Sequence, residues 1–150
     1  MPIRSSAPDV RQHLADLFGS ERVVMVSRCF DGVPCRYHGR SVTRYGKPCG
    51  RPSMMKKLRD TFDRVILICP EVDAGLPTPR PPIFREGGRL ICNEQDITER
   101  LERQTRKIVE EALRLGVTEA YLMKDSPTCD PSTGISGMAL AAAGVRAKAI

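Results

Sequence analysis

Three of the six cysteines in this 150-residue chain, Cys29, Cys69 and Cys129, fall just after short apolar runs, where loops should begin. Thiolates are soft donors, and three held together are chemically informative. A closed structural zinc site takes four ligands, usually as close pairs, and this chain has no C-x-x-C. Three soft ligands with one open position suit an iron–sulfur cluster with an exposed iron, or a catalytic zinc. The plain alternative is three buried small hydrophobes, and their common placement after strands weighs against it. Cys35 reads as a neighbour rather than a ligand, Cys92 as core, and Cys49 has no assignment.

Bringing distant cysteines together needs a scaffold, and the apolar pattern predicts one. Val23–Val26 and Val65–Ile68 are continuous apolar runs, as in strands buried on both faces. Arg89–Cys92 reads as a shorter third strand and Ala120–Met123 as a fourth. Helices are expected over 8–18, from a Ser53 cap through Met54, Leu58 and Phe62, and from Asp96 or Thr98 to a stop at Gly116. A last Ala-rich stretch from Ser136 reads as a short helix ended or interrupted by Gly144, and the prolines between Gly75 and Pro82 predict a stiff loop. Alternation of strands and helices predicts one α/β domain over residues 1–150. Its expected form is three layers around a mostly parallel, Rossmann-like sheet of about four strands. Ligand sites in such sheets form at the carboxyl ends of the strands, where all three cysteines fall.

Composition narrows the class. Hydrophobic content of 41% with 28% charged residues is ordinary for a globular protein, and no apolar run is long enough to span a bilayer. The N-terminal MPIRSSAPDV lacks the apolar stretch of a secretory signal, so a cytoplasmic address and reduced thiols are expected. The net charge of +6 is dispersed, and three Tyr, four Phe and no Trp leave little to stack on bases. Both features disfavour a nucleic-acid groove.

Several segments carry a resemblance: Val26-Ser27-Arg28-Cys29 with Cys35-Arg36-Tyr37-His38-Gly39, then Cys69-Pro70-Glu71-Val72, Gly75 to Pro82, Asp96-Ile97-Thr98, and Lys124 to Cys129. In this order they resemble a family once known only as a domain of unknown function, which includes the thiouracil desulfidases. The CPE and GLPTPR stretches are the most specific. The resemblance implies a [4Fe–4S] cluster held by Cys29, Cys69 and Cys129, with one open iron to take the sulfur of a thiocarbonyl such as 2-thiouracil. The product would be the carbonyl compound, with sulfide released and no net redox change. It further implies that Glu71 handles protons or activates water and that Ser126 sits near the substrate. A small thiolated substrate and the cluster-assembly machinery would be the partners.

The physical chemistry agrees. An exposed iron is a Lewis acid with affinity for sulfur, and exchange of sulfur for oxygen needs a group to move protons. The plain alternative for Glu71 is a surface ion pair, and for Ser126-Pro127 a turn. Arg80 and Lys124 could bind an anionic group or balance the cluster's charge, and Arg36 and Tyr37 could line the pocket; surface or packing roles compete for each. His38 could contact substrate, and His13 reads as solvated. Three departures from the family pattern bear on substrate identity: Thr128 and Asp130 beside Cys129, Ile83-Phe84 after the prolines, and a short segment between Cys129 and Gly144. A different class of answer is a non-catalytic iron–sulfur or metal-binding module in sulfur or iron handling.

Overall fold

The computed structural model describes residues 21–39 and 50–150, with the backbone of 43, 44, 47 and 48. The expected helix over 8–18, His13 and Cys49 lie outside the described residues. Four parallel strands form the main sheet in the order β4-β1-β8-β9: β1 (Val23–Ser27), β4 (Arg64–Ile68), β8 (Glu119–Leu122) and β9 (Arg146–Ala149). A short antiparallel pair, β2 (Thr43–Arg44) and β3 (Lys47–Pro48), lies between β1 and β4 in the chain. This is the α/β, mostly parallel architecture expected, and loosely Rossmann-like.

Every residue of β1 is buried, as a central strand covered on both faces requires. Its side chains alternate between two cores. Val24 and Val26 pack with Met55, Leu58 and Phe62, from or just after helix α1 (Pro52–Thr61). Val23 and Met25 pack with Ile108 and Ala112 of α3 (Thr98–Leu115) and Leu140 of α4 (Ile135–Ala142). Fully burying one such aliphatic side chain stabilises the fold by roughly 1.5–3 kcal/mol.

Local chemistry sets the helix ends. Pro52 occupies the first turn of α1, where its missing N–H costs nothing, so the helix starts one residue before the expected Ser53 cap. At the start of α3, Asp96 Oδ1 accepts the Thr98 N–H at 3.0 Å, and the Thr98 hydroxyl accepts the Leu90 N–H at 2.8 Å. Gly116, with φ +71°, ends the helix in the left-handed conformation that glycine adopts most readily.

Two strand assignments differ from expectation. Arg89–Cys92 is β6 of a separate antiparallel sheet, between β5 (Phe84–Glu86) and β7 (Gln95–Asp96). Gly87-Gly88 and Asn93-Glu94 all have positive φ, as tight two-residue hairpin turns require, so this strand folds back on local partners. The fourth strand of the main sheet is instead β9, within the Ala-rich tail. It is an edge strand whose Arg146 is exposed; its alternation of Arg, Ala, Lys and Ala offers no apolar run to mark it.

Candidate active site

The connections around β1 leave to opposite faces of the sheet, α1 on one side and α3 and α4 on the other. Strands that part company in this way open a crevice at their carboxyl ends. A cavity of about 450 Å3 occupies that edge. All nine residues singled out from sequence line it: Cys29, Arg36, Tyr37, Cys69, Glu71, Arg80, Lys124, Ser126 and Cys129.

Each cysteine is presented by a different loop. Cys29 lies in a single 3-10 turn (Arg28–Asp31) that continues directly from β1. Cys69 follows β4 and precedes the short helix α2 (Pro70–Asp73). Its N–H is held by Asp73 Oδ2 at 3.2 Å, and Asp73 is paired with Arg28 at 2.9 Å. Cys129 follows β8, in a loop fastened to the start of α4. The Ile135, Ser136 and Gly137 N–H groups donate to the carbonyls of Pro127 and Thr128. A Cβ on Gly137 would collide with the carbonyl oxygens of Cys129 and Asp130, so only glycine allows that approach.

The three thiols are buried, as is Cys35. Burial pushes the Cys129 thiol up to about 11. The neighbouring Cys29 thiol, opposed in part by Cys69, pushes Cys35 up to about 11, and the Cys35 thiol followed by burial raises Cys69 well above the ordinary range. Cys35 therefore stands within reach of two of the predicted ligands. Cys92 is buried in a different cluster, under β6, with its Sγ 3.3 Å from the Pro81 carbonyl.

The donor set fits a thiolate-bound cluster: three soft sulfur ligands, from three rigidly seated loops, facing one cavity. Among the described residues no three His, Cys, Asp or Glu side chains stand close enough for a single metal ion. A four-iron cluster is a wider body than one ion and takes its ligands at wider spacing.

Glu71 is buried rather than engaged in a surface ion pair. Its Oε1 accepts Arg80 Nε at 2.8 Å and its Oε2 accepts the Thr128 hydroxyl at 2.9 Å. Arg80 also donates to the carbonyls of Cys35 and Pro77 and to the Thr78 hydroxyl. Ser126 Oγ accepts the N–H groups of Thr128 and Cys129 at 3.2 and 3.0 Å, the turn foreseen as its plain alternative. The same oxygen lies 3.2 Å from the Thr128 hydroxyl, which links Ser126 to Glu71. Tyr37 is 41% exposed at the rim.

Two contributors were missed from sequence. Thr128 registered only as a departure beside Cys129, although a hydroxyl next to a ligand is a sensible partner for a carboxylate. Ser27, the last residue of β1, accepts the Met123 N–H at 2.9 Å and touches the Cys129 thiol. Its place at a strand's carboxyl end was the available signal. Asp130, the other departure, works within the loop. Burial opposes its ionisation, but the N–H groups of Asp125, Ser132 and Thr133 hold its carboxyl below the usual range.

Comparison with known proteins agrees with this geometry. A family model described as 2-thiouracil desulfurase matches residues 24–150. The chain is 25% identical over 120 residues to the uncharacterised protein YbbK of Bacillus subtilis (strain 168), spanning 71% of this chain and 72% of YbbK. Among solved structures it is similar to the [4Fe–4S]-dependent thiouracil desulfidase TudS, with a TM-score of 0.71 and 27% identity over 86% of this chain and 91% of that one. Because the family model spans most of the chain, and a desulfidase of known structure shares its fold, this chain belongs to the 2-thiouracil desulfurase family, a family of desulfidase enzymes.

Proposed function

We propose that this enzyme converts the C=S group of a small thiocarbonyl compound such as 2-thiouracil into C=O, with water as the oxygen source and sulfide as the second product. The observation that carries this reading is the convergence of Cys29, Cys69, Cys129 and Glu71 on one cavity at the carboxyl edge of the parallel sheet. The [4Fe–4S] dependence of the similar TudS supports the same ligand set here. A cluster held by the three cysteines would supply an iron with an open position, a Lewis acid that polarises C=S and accepts sulfur.

The protein's own groups do the rest. Glu71 takes a proton from the attacking water and returns it to the departing sulfur, so no electron enters or leaves. Ser126 holds the Cys129 loop in place through two N–H contacts and reaches Glu71 through Thr128. Arg36, Tyr37 and Lys124 line the mouth and orient the substrate ring. Thr128, Asp130 and Ile83 line or adjoin the same wall, where the sequence departs from its family, so preference among thiocarbonyls is set there.

Residues 1–150 act as a single domain in this reading. Its work belongs in a reducing cytoplasm, with the cluster-assembly machinery as its source of iron and sulfide. Among the described residues no helix is long and apolar enough to cross a membrane. The test is an absorption spectrum with iron and acid-labile sulfide counts on anaerobically prepared protein, beside Cys29→Ala, Cys69→Ala and Cys129→Ala. A band near ~400 nm lost in each variant, with sulfide released from 2-thiouracil by wild type, is the expected result. A colourless, iron-free wild type after reconstitution would overturn the cluster. A loaded protein that releases no sulfide from any thiocarbonyl would favour the non-catalytic module.

A further inference from the structure

We propose that Arg80 is a positioning residue acting through Glu71, and that with Thr128 it leaves a single carboxylate oxygen, Oε2, as the atom at which a proton is exchanged. The proposal rests on the reading of Glu71 as the proton-handling group, and counting donors and acceptors supports it. A guanidinium has five N–H donors and no acceptor. Arg80 Nε gives its proton to Glu71 Oε1 at 2.8 Å. Nη1 serves the Pro77 carbonyl and the Thr78 hydroxyl, both at 3.1 Å. Nη2 serves the Cys35 carbonyl at 3.0 Å and also lies 2.8 Å from Glu71 Oε1. Every donor is committed within the protein, and the side chain is 2% exposed. Although Arg80 lines the cavity, it has nothing left to offer an anionic group on a substrate.

The acceptor side is as restricted. An ionised carboxylate has about four lone-pair sites. Nε and Nη2 crowd both of those on Oε1, and the Thr128 hydroxyl takes one on Oε2 at 2.9 Å. One acceptor position remains, on Oε2, for a water or ring N–H arriving in the cavity. The Arg80 backbone N–H also donates to the Tyr37 carbonyl at 2.7 Å. One residue thus sets both the carboxylate and the loop that carries Cys35 and Tyr37. A clamped group of this kind loses little entropy on reaching the reactive arrangement, and small displacements are costly to rate.

The experiment combines steady-state desulfuration of 2-thiouracil by the loaded enzyme with thermal unfolding of the cluster-free protein. The variants are Glu71→Gln, Arg80→Lys, Thr128→Val, Thr128→Ser and the double variant Glu71→Gln/Arg80→Lys. Arg80→Lys keeps the charge but not the planar fork; kcat should fall ~10²-fold with KM nearly unchanged. Thr128→Val should lower kcat about tenfold, and Thr128→Ser should restore most of it, because only the hydroxyl is needed. In the melts, Arg80→Lys should lower the midpoint clearly in the wild-type background and much less beside Glu71→Gln. An Arg80→Lys enzyme with raised KM and intact kcat would make Arg80 a substrate contact and overturn the proposal, as would additive melting shifts. Full turnover by Glu71→Gln would instead sink the proton-handling role, with the melts still deciding whether the two side chains are coupled.

Discussion

Two arginine–carboxylate pairs in this molecule share a 2.8 Å contact and almost nothing else. Arg80 and Glu71 meet at the cavity with side chains 2% and 10% exposed, whereas Arg89 and Asp96 meet on the small antiparallel sheet at 47% and 43%. In the first pair both charges have left water, which is tolerable only because other donors and acceptors complete their shells. In the second pair water still solvates both ions and screens their attraction. Equal distance therefore does not mean equal energy. The buried pair organises a reactive carboxylate, while the exposed pair trims the end of a hairpin whose stability comes from the apolar residues beneath it.

The largest effect expected from this contrast is at the buried pair. Arg80→Met should destabilise the cluster-free protein by ~3–5 kcal/mol, because Glu71 would be left as an uncompensated charge. Urea unfolding measures it, and a loss below ~1 kcal/mol would erase the distinction between the two pairs. On the small sheet the larger effect belongs to Leu90, which is 2% exposed and packs with Ile97 and Leu101. Leu90→Ala should cost about 3 kcal/mol, while Arg89→Ala next to it should barely move the midpoint. The reverse order would mean that the exposed ion pair holds the hairpin.

Thr128→Val sharpens the comparison at one atom. It removes one of the printed contacts of Glu71 and should cost ~1–3 kcal/mol in the same unfolding assay, with Thr128→Ser close to wild type. The smallest effect is expected at Asp96, whose carboxyl is held well below the usual range by Arg89 and then by the Thr98 side chain and N–H. A depressed folded-state value means that this contribution is present above the ordinary carboxylate pKa of about 3.9 and disappears as pH falls through the folded value. Wild type and Asp96→Asn should thus differ slightly at neutral pH and converge in strong acid. A gap that widens on acidification would show that the ion pair is not its source.

Features written in local pattern were legible before any coordinates. The continuous apolar runs at Val23–Val26 and Val65–Ile68 announced buried strands, Gly116 announced the end of the long helix, and the cysteines after strands announced a shared edge. The hairpins around β6 were legible too, in Gly87-Gly88, but a short apolar run looks alike in a parallel and an antiparallel sheet. The edge strand β9 was not, since an edge needs no apolar alternation strong enough to see.

What the amino-acid order determined alone is the set of elements and the side of the sheet on which the chemistry-bearing residues emerge, because both follow from short-range periodicity and from the directionality of parallel strands. Only the tertiary structure decided what those residues do to one another. Thr128 lies 57 positions from Glu71 and Cys35 lies 45 from Arg80, yet all four form one hydrogen-bonded group. Burial and the completion of a hydrogen-bond shell are properties of packing between distant segments, and no local pattern encodes them. The same Arg–carboxylate chemistry is a surface ornament at Asp96 and a clamp at Glu71 because the fold removes water from one and leaves it around the other.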